Sequence, residues 1–169
     1  LRGNVDTRLK KLRNKEYDAI ILSHAGLTRM GLDNEITEVL EFKNFLPAAC
    51  QGVVAVQAKK NFVLKKIIAA LSNKISENES TAERLVLKKI NANCNSPVSV
   101  YAKISDGGVT IKCEIFEHSG NKIFQSSLSA DKNNFKEISI SLANDIIKSV
   151  GQKKLDELDV LKDDFTYQA

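Results

Sequence analysis

The segment Arg2-Gly3-Asn4-Val5-Asp6-Thr7-Arg8 sets two guanidinium groups around a Gly-Asn turn that opens a helical pattern. A glycine lets backbone approach a ligand closely, and the first turn of a helix carries N–H groups without intrahelical partners. An anion is the natural guest of such a place, and Arg2 and Arg8 could each fork onto a carboxylate. The same residues equally describe a capped amphipathic helix with solvated arginines, which is the commoner arrangement. Within the first fifteen positions, Arg2, Arg8, Lys10, Lys11, Arg13 and Lys15 face the single carboxylate of Asp6, a larger local excess than the +4 of the whole chain. The lysines read as a solvated face, so Arg2, Gly3 and Arg8 alone are candidate site residues.

The cysteines differ in context. Cys113 alternates with Val109, Ile111 and Ile115 and reads as core. Cys94 stands among small polar residues in a turn after a helix, where exposure and reaction with an electrophile are open to it, as is a surface position with no role. The negative end of the helix dipole would not activate its thiolate, so any covalent role needs a strong electrophile. Cys50 reads as packing beside Gln51-Gly52. Three cysteines without CxxC spacing make neither a disulfide framework nor a zinc site. His24 and His118 have no partnered nucleophile and read as surface residues. Gly107-Gly108 is turn chemistry, since no helix follows it to hold a phosphate.

The elements that position these residues follow from periodicity. A helix is expected over 4–12, a covered parallel strand over 17–23 (YDAIILS), and a short helix around Ile36, Val39 and Leu40. Residues 51–56 read as a second strand and Phe62 to Leu71 as a helix, with the polar stretch 72–80 as a linker. Ser80 and Glu83 have capping-box spacing before a helix that runs to Asn91. Alternating residues then predict three strands, over 98–104, 109–115 and 123–128, joined by turns at Asp106-Gly107-Gly108 and Ser119-Gly120-Asn121. An amphipathic helix from Phe135 to Val150 ends at Gly151, and Leu155, Leu158 and Leu161 leave a partly helical tail. The fold class is therefore incomplete wound α/β pieces followed by an α+β domain, a three-stranded antiparallel sheet covered by helices.

With 6% aromatic residues and no basic stripe interleaved with aromatics, nucleic acid is not an expected partner. No apolar run reaches the roughly 20 residues of a membrane span, and a reducing, cytoplasmic setting is expected.

The blocks RGNVDTRLKKLRNKEYDAIILSHAGLTRMGL, LPAACQGVVAVQAKKN and STAERLVLKKINANCNSPVSVYA resemble the porphobilinogen deaminases (hydroxymethylbilane synthases) over most of residues 1 to about 102. The resemblance implies a three-domain transferase of porphyrin and heme biosynthesis that condenses four porphobilinogens into hydroxymethylbilane with release of ammonia. It implies a dipyrromethane primer in thioether linkage to Cys94. Arg2 and Arg8, with Gly3, would hold the acetate and propionate arms of the cofactor and of the growing polypyrrole chain. Cys50 stands where the family usually has glycine, and Ala92-Asn93 where it usually has Gly-Gly.

By the same resemblance, residues 1–47 would close the second domain. Residues 48–75 would return to the first domain, and 76–169 would form the third, cofactor-cysteine domain. The chain then reads as a C-terminal portion without the half that holds the catalytic aspartate. It is expected to carry no catalytic residue, to be inactive and without primer when alone, and to pair with that half or self-associate. The complete enzyme is expected to be a monomer. The alternatives are a small anion-binding module or an interaction module built on the α+β unit.

Overall fold

The computed structural model describes residues 1–59, 65–93 and 95–159, and falls into two compact units, Leu1–Asn44 and Phe45–Ala169.

The first unit begins with α1, Val5–Arg13. Asn4 caps it: its side-chain oxygen accepts the Thr7 N–H at 3.1 Å and the Thr7 hydroxyl at 2.8 Å. Asp6 lies in the first turn and Lys10, Lys11 and Arg13 in the last, each sign matching the helix end it meets. Leu9 is the residue this helix buries. Helix α2, His24–Arg29, is capped by Ser23 and closes through Gly31, whose positive φ lets the Leu32 N–H reach the Leu27 carbonyl at 3.0 Å. A 3-10 turn, Asp33–Glu35, follows, and Glu35 pairs with Arg13.

Two expectations fail in this unit. Residues 17–23 form no strand, and Ile36, Val39 and Leu40 form no helix. A strand exists only by exchanging hydrogen bonds with a neighbour, and the described residues of this unit contain no other strand. The helix that does form, α2, starts where Ser23 can cap it and runs through Gly26.

The second unit holds α3 (Lys65–Ala70), α4 (Lys74–Lys89), β1 (Val98–Ser105), β2 (Gly108–Phe116), β3 (Lys122–Ala130), α5 (Phe135–Val150) and α6 (Gln152–Asp159). The strands form one antiparallel sheet in the order β1-β2-β3, with Val100 opposite Cys113 and Cys113 opposite Ser126. Gly108 is required, since a Cβ there would lie 2.3 Å from the Ala130 carbonyl oxygen. Helices α4 and α5 cover one face. Val86, Ile111, Ile115, Leu142 and Ile146 are fully buried between the layers, and Leu155 and Leu158 of α6 complete the core.

Here the three strands, α5 and its Gly151 stop stand as the periodicity predicts. Residues 51–56 do not form a strand, and Val53, Val54 and Val56 are exposed. The polar stretch 72–80 is no linker: Asn73 caps α4 by accepting the Ser76 N–H at 3.0 Å, so the helix starts two turns before Ser80. Inside that helix the Ser80 hydroxyl donates back to the Ser76 carbonyl at 2.7 Å. The expected helix start at Phe62 and the tail residue Leu161 lie outside the described residues.

Candidate functional site

The start of α1 brings Arg2, Gly3 and Arg8 into one turn. Gly3 has φ 113°, and a Cβ there would sit 2.8 Å from Thr7 Cγ2, so the turn tolerates no side chain. Arg8, one helical turn in, donates from Nε to the Gly3 carbonyl at 2.7 Å. This folds the guanidinium back over the helix N-terminus and fixes its plane. Among the described residues Arg8 has no carboxylate partner, whereas Arg13 at the other helix end is engaged by Glu35. Arg2 is exposed on the approach to the same turn. The first-turn N–H groups of Val5 and Asp6 precede the helical ladder, so backbone donors and a fixed fork meet in one place. That combination suits a carboxylate.

The second sequence-predicted element is the turn after α4. Cys94 lies outside the described residues, but the positions around it are ordered by their own side chains. Asn91 takes the left-handed conformation at φ 59°, and the Ala92 N–H reaches the Leu87 carbonyl at 2.9 Å. Asn93 N–H donates to Ser96 Oγ at 2.8 Å, and the Asn93 side-chain oxygen accepts the Asn95 N–H at 2.8 Å.

A third cluster was not apparent from motifs. Glu83, 6% exposed, sits on the buried face of α4. One oxygen accepts the Cys50 N–H at 2.5 Å and the other accepts the Ala102 N–H of β1 at 2.8 Å. Glu79, one turn earlier, accepts the Ile104 N–H at 2.8 Å. These two carboxylates receive outward N–H groups of an edge strand that β2 cannot reach. The pair at i and i+4, beside the fully buried Ala82 and Val86, was the available signal: a carboxylate on an apolar helix stripe must find donors. Capping-box spacing assigned Glu83 to Ser80 instead, which the structure corrects.

Cys50 is held at φ 59°, the conformation a glycine would take without strain, and its loop is pinned by Glu83. Pro47, Cys50, Glu79, Glu83 and Tyr101 line a cavity of about 100 Å³. Burial, and then the charge of Glu83, push the Cys50 thiol up, with Arg84 opposing. Burial also raises the Glu83 carboxyl, against the lowering effect of the Ala102 and Cys50 N–H groups. Cys113 is fully buried and its thiol is pushed up to about 12. Neither sulfur is a ready nucleophile. His24 and His118 are exposed. Among the described residues no group of His, Cys, Asp and Glu side chains could hold a metal ion, and no helix is long and apolar enough to cross a membrane.

Residues 1–64 match the family model described as porphobilinogen deaminase, dipyromethane cofactor binding domain, and residues 77–148 match porphobilinogen deaminase, C-terminal domain. The resemblance is therefore not confined to the C-terminal domain. A relative named porphobilinogen deaminase from Acetivibrio thermocellus is 39% identical over 148 residues, 88% of this chain and 50% of the relative. Relatives of the same name from Corynebacterium diphtheriae and Alkaliphilus oremlandii are 36% and 37% identical, over 77% and 85% of this chain and 45% and 48% of their own lengths. The chain thus spans about half the length of the curated relatives it matches.

Proposed function

Because the chain belongs to the porphobilinogen deaminase family, transferases whose cofactor is a dipyrromethane, we propose that it serves the condensation of four porphobilinogens into hydroxymethylbilane with release of ammonia. The observation that carries this reading is the start of α1. There the match to a cofactor-binding domain coincides with a glycine turn, a helix N-terminus and an arginine that donates to a backbone carbonyl and has no carboxylate partner among the described residues. The acidic arms of a pyrrole need forked cations and N–H donors, and these residues fit them. Arg8 and Arg2 would hold the carboxylates, and Gly3 would let the backbone approach.

When bound, the dipyrromethane supplies the primer on which the pyrrole chain is built. Cys94 would anchor it through a thioether, a bond that survives each turnover. Loss of ammonia from porphobilinogen leaves a strong electrophile, so the anchoring thiol needs no activated pKa. In this reading residues 1–47, 48–75 and 76–169 belong to three domains, the first two being parts of wound α/β domains. The exposed Val53, Val54 and Val56 would be covered by polypeptide corresponding to the other half of the relatives' length, or by self-association.

The test combines the 169-residue chain with the complementary half of the Acetivibrio thermocellus relative. We expect ammonia-releasing consumption of porphobilinogen by the pair, none by the chain alone, and a dipyrromethane mass increment on the Cys94 peptide of the pair only. Arg8→Ala should cut turnover at least about a hundredfold if it positions the reacting rings. Full turnover by a Cys94→Ala pair would sink the assignment of that thiol. Anion binding that needs Arg8 but never loads Cys94 would favour a binding module instead.

A further inference from the structure

We propose that α6 braces the turn on both sides of position 94, with Asp159 as the positioning residue. Gly151, at φ 85°, stops α5 and lets α6 start at once. Leu155 and Leu158 seat the helix in the core, at 5% and 4% exposure. Gln152, Asp156 and Asp159 recur at i, i+4 and i+7 and so share the neighbouring face. All three reach the end of α4 or the turn after it. Gln152 Nε2 donates to the Ile90 carbonyl at 3.2 Å and to Asp156 Oδ1 at 2.9 Å, and Asn91 Nδ2 lies 3.5 Å from the same Asp156 oxygen. The Ser96 hydroxyl donates to Asp159.

Ser96 is the pivot. Its hydroxyl gives its proton to Asp159 and accepts the Asn93 N–H, while Asn93 holds the Asn95 N–H through its own side-chain oxygen. The carboxylate of Asp159 therefore fixes backbone immediately before and after position 94 from more than sixty residues away. A hydrogen bond to a charged acceptor is roughly twice as strong as a neutral one, which suits Asp159 to hold a turn exposed to solvent. The functional weight of this brace rests on the reading that Cys94 carries the cofactor. A thiol without activation gains rate from being held where its electrophile arrives.

The experiment is residue-resolved hydrogen exchange on the 169-residue chain. Asp159→Ala should speed exchange at Asn93 and Ser96 about tenfold, the factor one charged hydrogen bond is worth in a local opening, with β2 amides unchanged. Asp159→Asn keeps an acceptor for the Ser96 hydroxyl but loses the charge, and should speed exchange by only about threefold. Ser96→Ala removes the acceptor of the Asn93 N–H as well and should speed exchange at Asn93 by at least as much, while Asp159→Asn serves as the probe if Asp159→Ala loosens the whole unit. Unchanged exchange at the turn in a folded Ser96→Ala or Asp159→Ala chain overturns the brace. The same variants, paired with the complementary half of the relative and given porphobilinogen, should load Cys94 more slowly by a similar factor. Equal loading overturns the positioning role of Asp159. Failure of the unsubstituted pair to load at all would strike the assignment of Cys94, and would leave the exchange result to decide the brace.

Discussion

Residues 17–23 and 51–56 are at least as apolar as β1, β2 and β3, yet only the latter are strands. Ile21 is 63% exposed and Val54 75%, while Ile111 and Ile115 are fully buried. Apolar content does not separate the two groups; supply of hydrogen-bond partners does. β1, β2 and β3 follow one another through turns of a few residues, so each strand finds its neighbour locally. A run written for a parallel sheet needs a strand brought from far away in the chain. Without one it forms no ladder and stays wet.

Truncation tests this contrast most strongly. Ile111→Ala should cost about 2–5 kcal/mol, as for other large-to-small changes in a packed core. Ile21→Ala and Val54→Ala should stay within about 0.5 kcal/mol. Urea unfolding by circular dichroism measures all three. A large cost at Ile21 or Val54 that grows with protein concentration would mean those runs are buried in an assembly, and would erase the contrast.

Legibility in the sequence followed the same division. Period-2 alternation with Asp106-Gly107 and Ser119-Gly120-Asn121 located the sheet, because every interaction that makes it lies within a hairpin. The helix from Phe135 to Val150 was readable for the same reason, and so was the Asn4 cap of α1. What periodicity missed depended on distant partners or on choices between caps. Asn73 competes with Ser80 as the start of α4 and wins, because the polar residues between them pay little to be helical. At the candidate site, the turn of Arg2, Gly3 and Arg8 was legible as a motif. The bond from Arg8 to Gly3 and the span of Glu83 from Cys50 to Ala102 were not, since spacing does not say which carbonyl or N–H a side chain will meet.

Glu83 offers the next largest effect. Glu83→Gln leaves one oxygen for two N–H groups and points an NH2 at the other, which should cost about 1–3 kcal/mol. The pH dependence has a definite sign. The Glu83 carboxyl is raised from its ordinary 4.5, so between that value and its folded value the folded chain holds the proton more firmly than the unfolded chain. The stability it contributes is complete below about pH 4.5 and is lost as the pH rises through the folded value. The gap between wild type and Glu83→Gln, followed by urea unfolding across that range, should therefore be widest in acid and narrow as the pH rises. A gap that widens with pH would contradict the burial argument.

In the first unit the comparable device is backbone rather than charge. Gly3→Ala forces a side chain into φ 113° and against Thr7, a local cost of about 1 kcal/mol or more. Faster amide exchange at Thr7 and Arg8, with the amides of β2 unchanged, is the expected signature. Equal protection in both proteins would show that the turn accepts a side chain, and the argument for glycine there would fail.

The smallest effect should come from Lys154, whose Nζ lies 2.8 Å from Glu117 on the surface. The hydrogen bond from Lys154, then its charge, lowers the Glu117 carboxyl, so this pair contributes above the ordinary carboxylate range and is lost as the pH falls through the lowered value. Lys154→Ala should lower the urea midpoint slightly at low salt and not at all in 1 M salt, where the Debye length is about 3 Å. A deficit that survives high salt would mean that the lysine stem packs against its surroundings. The seat of α6 would then extend beyond Leu155 and Leu158, and Asp159 would owe its place against Ser96 to apolar contact on both flanks of the helix rather than on one.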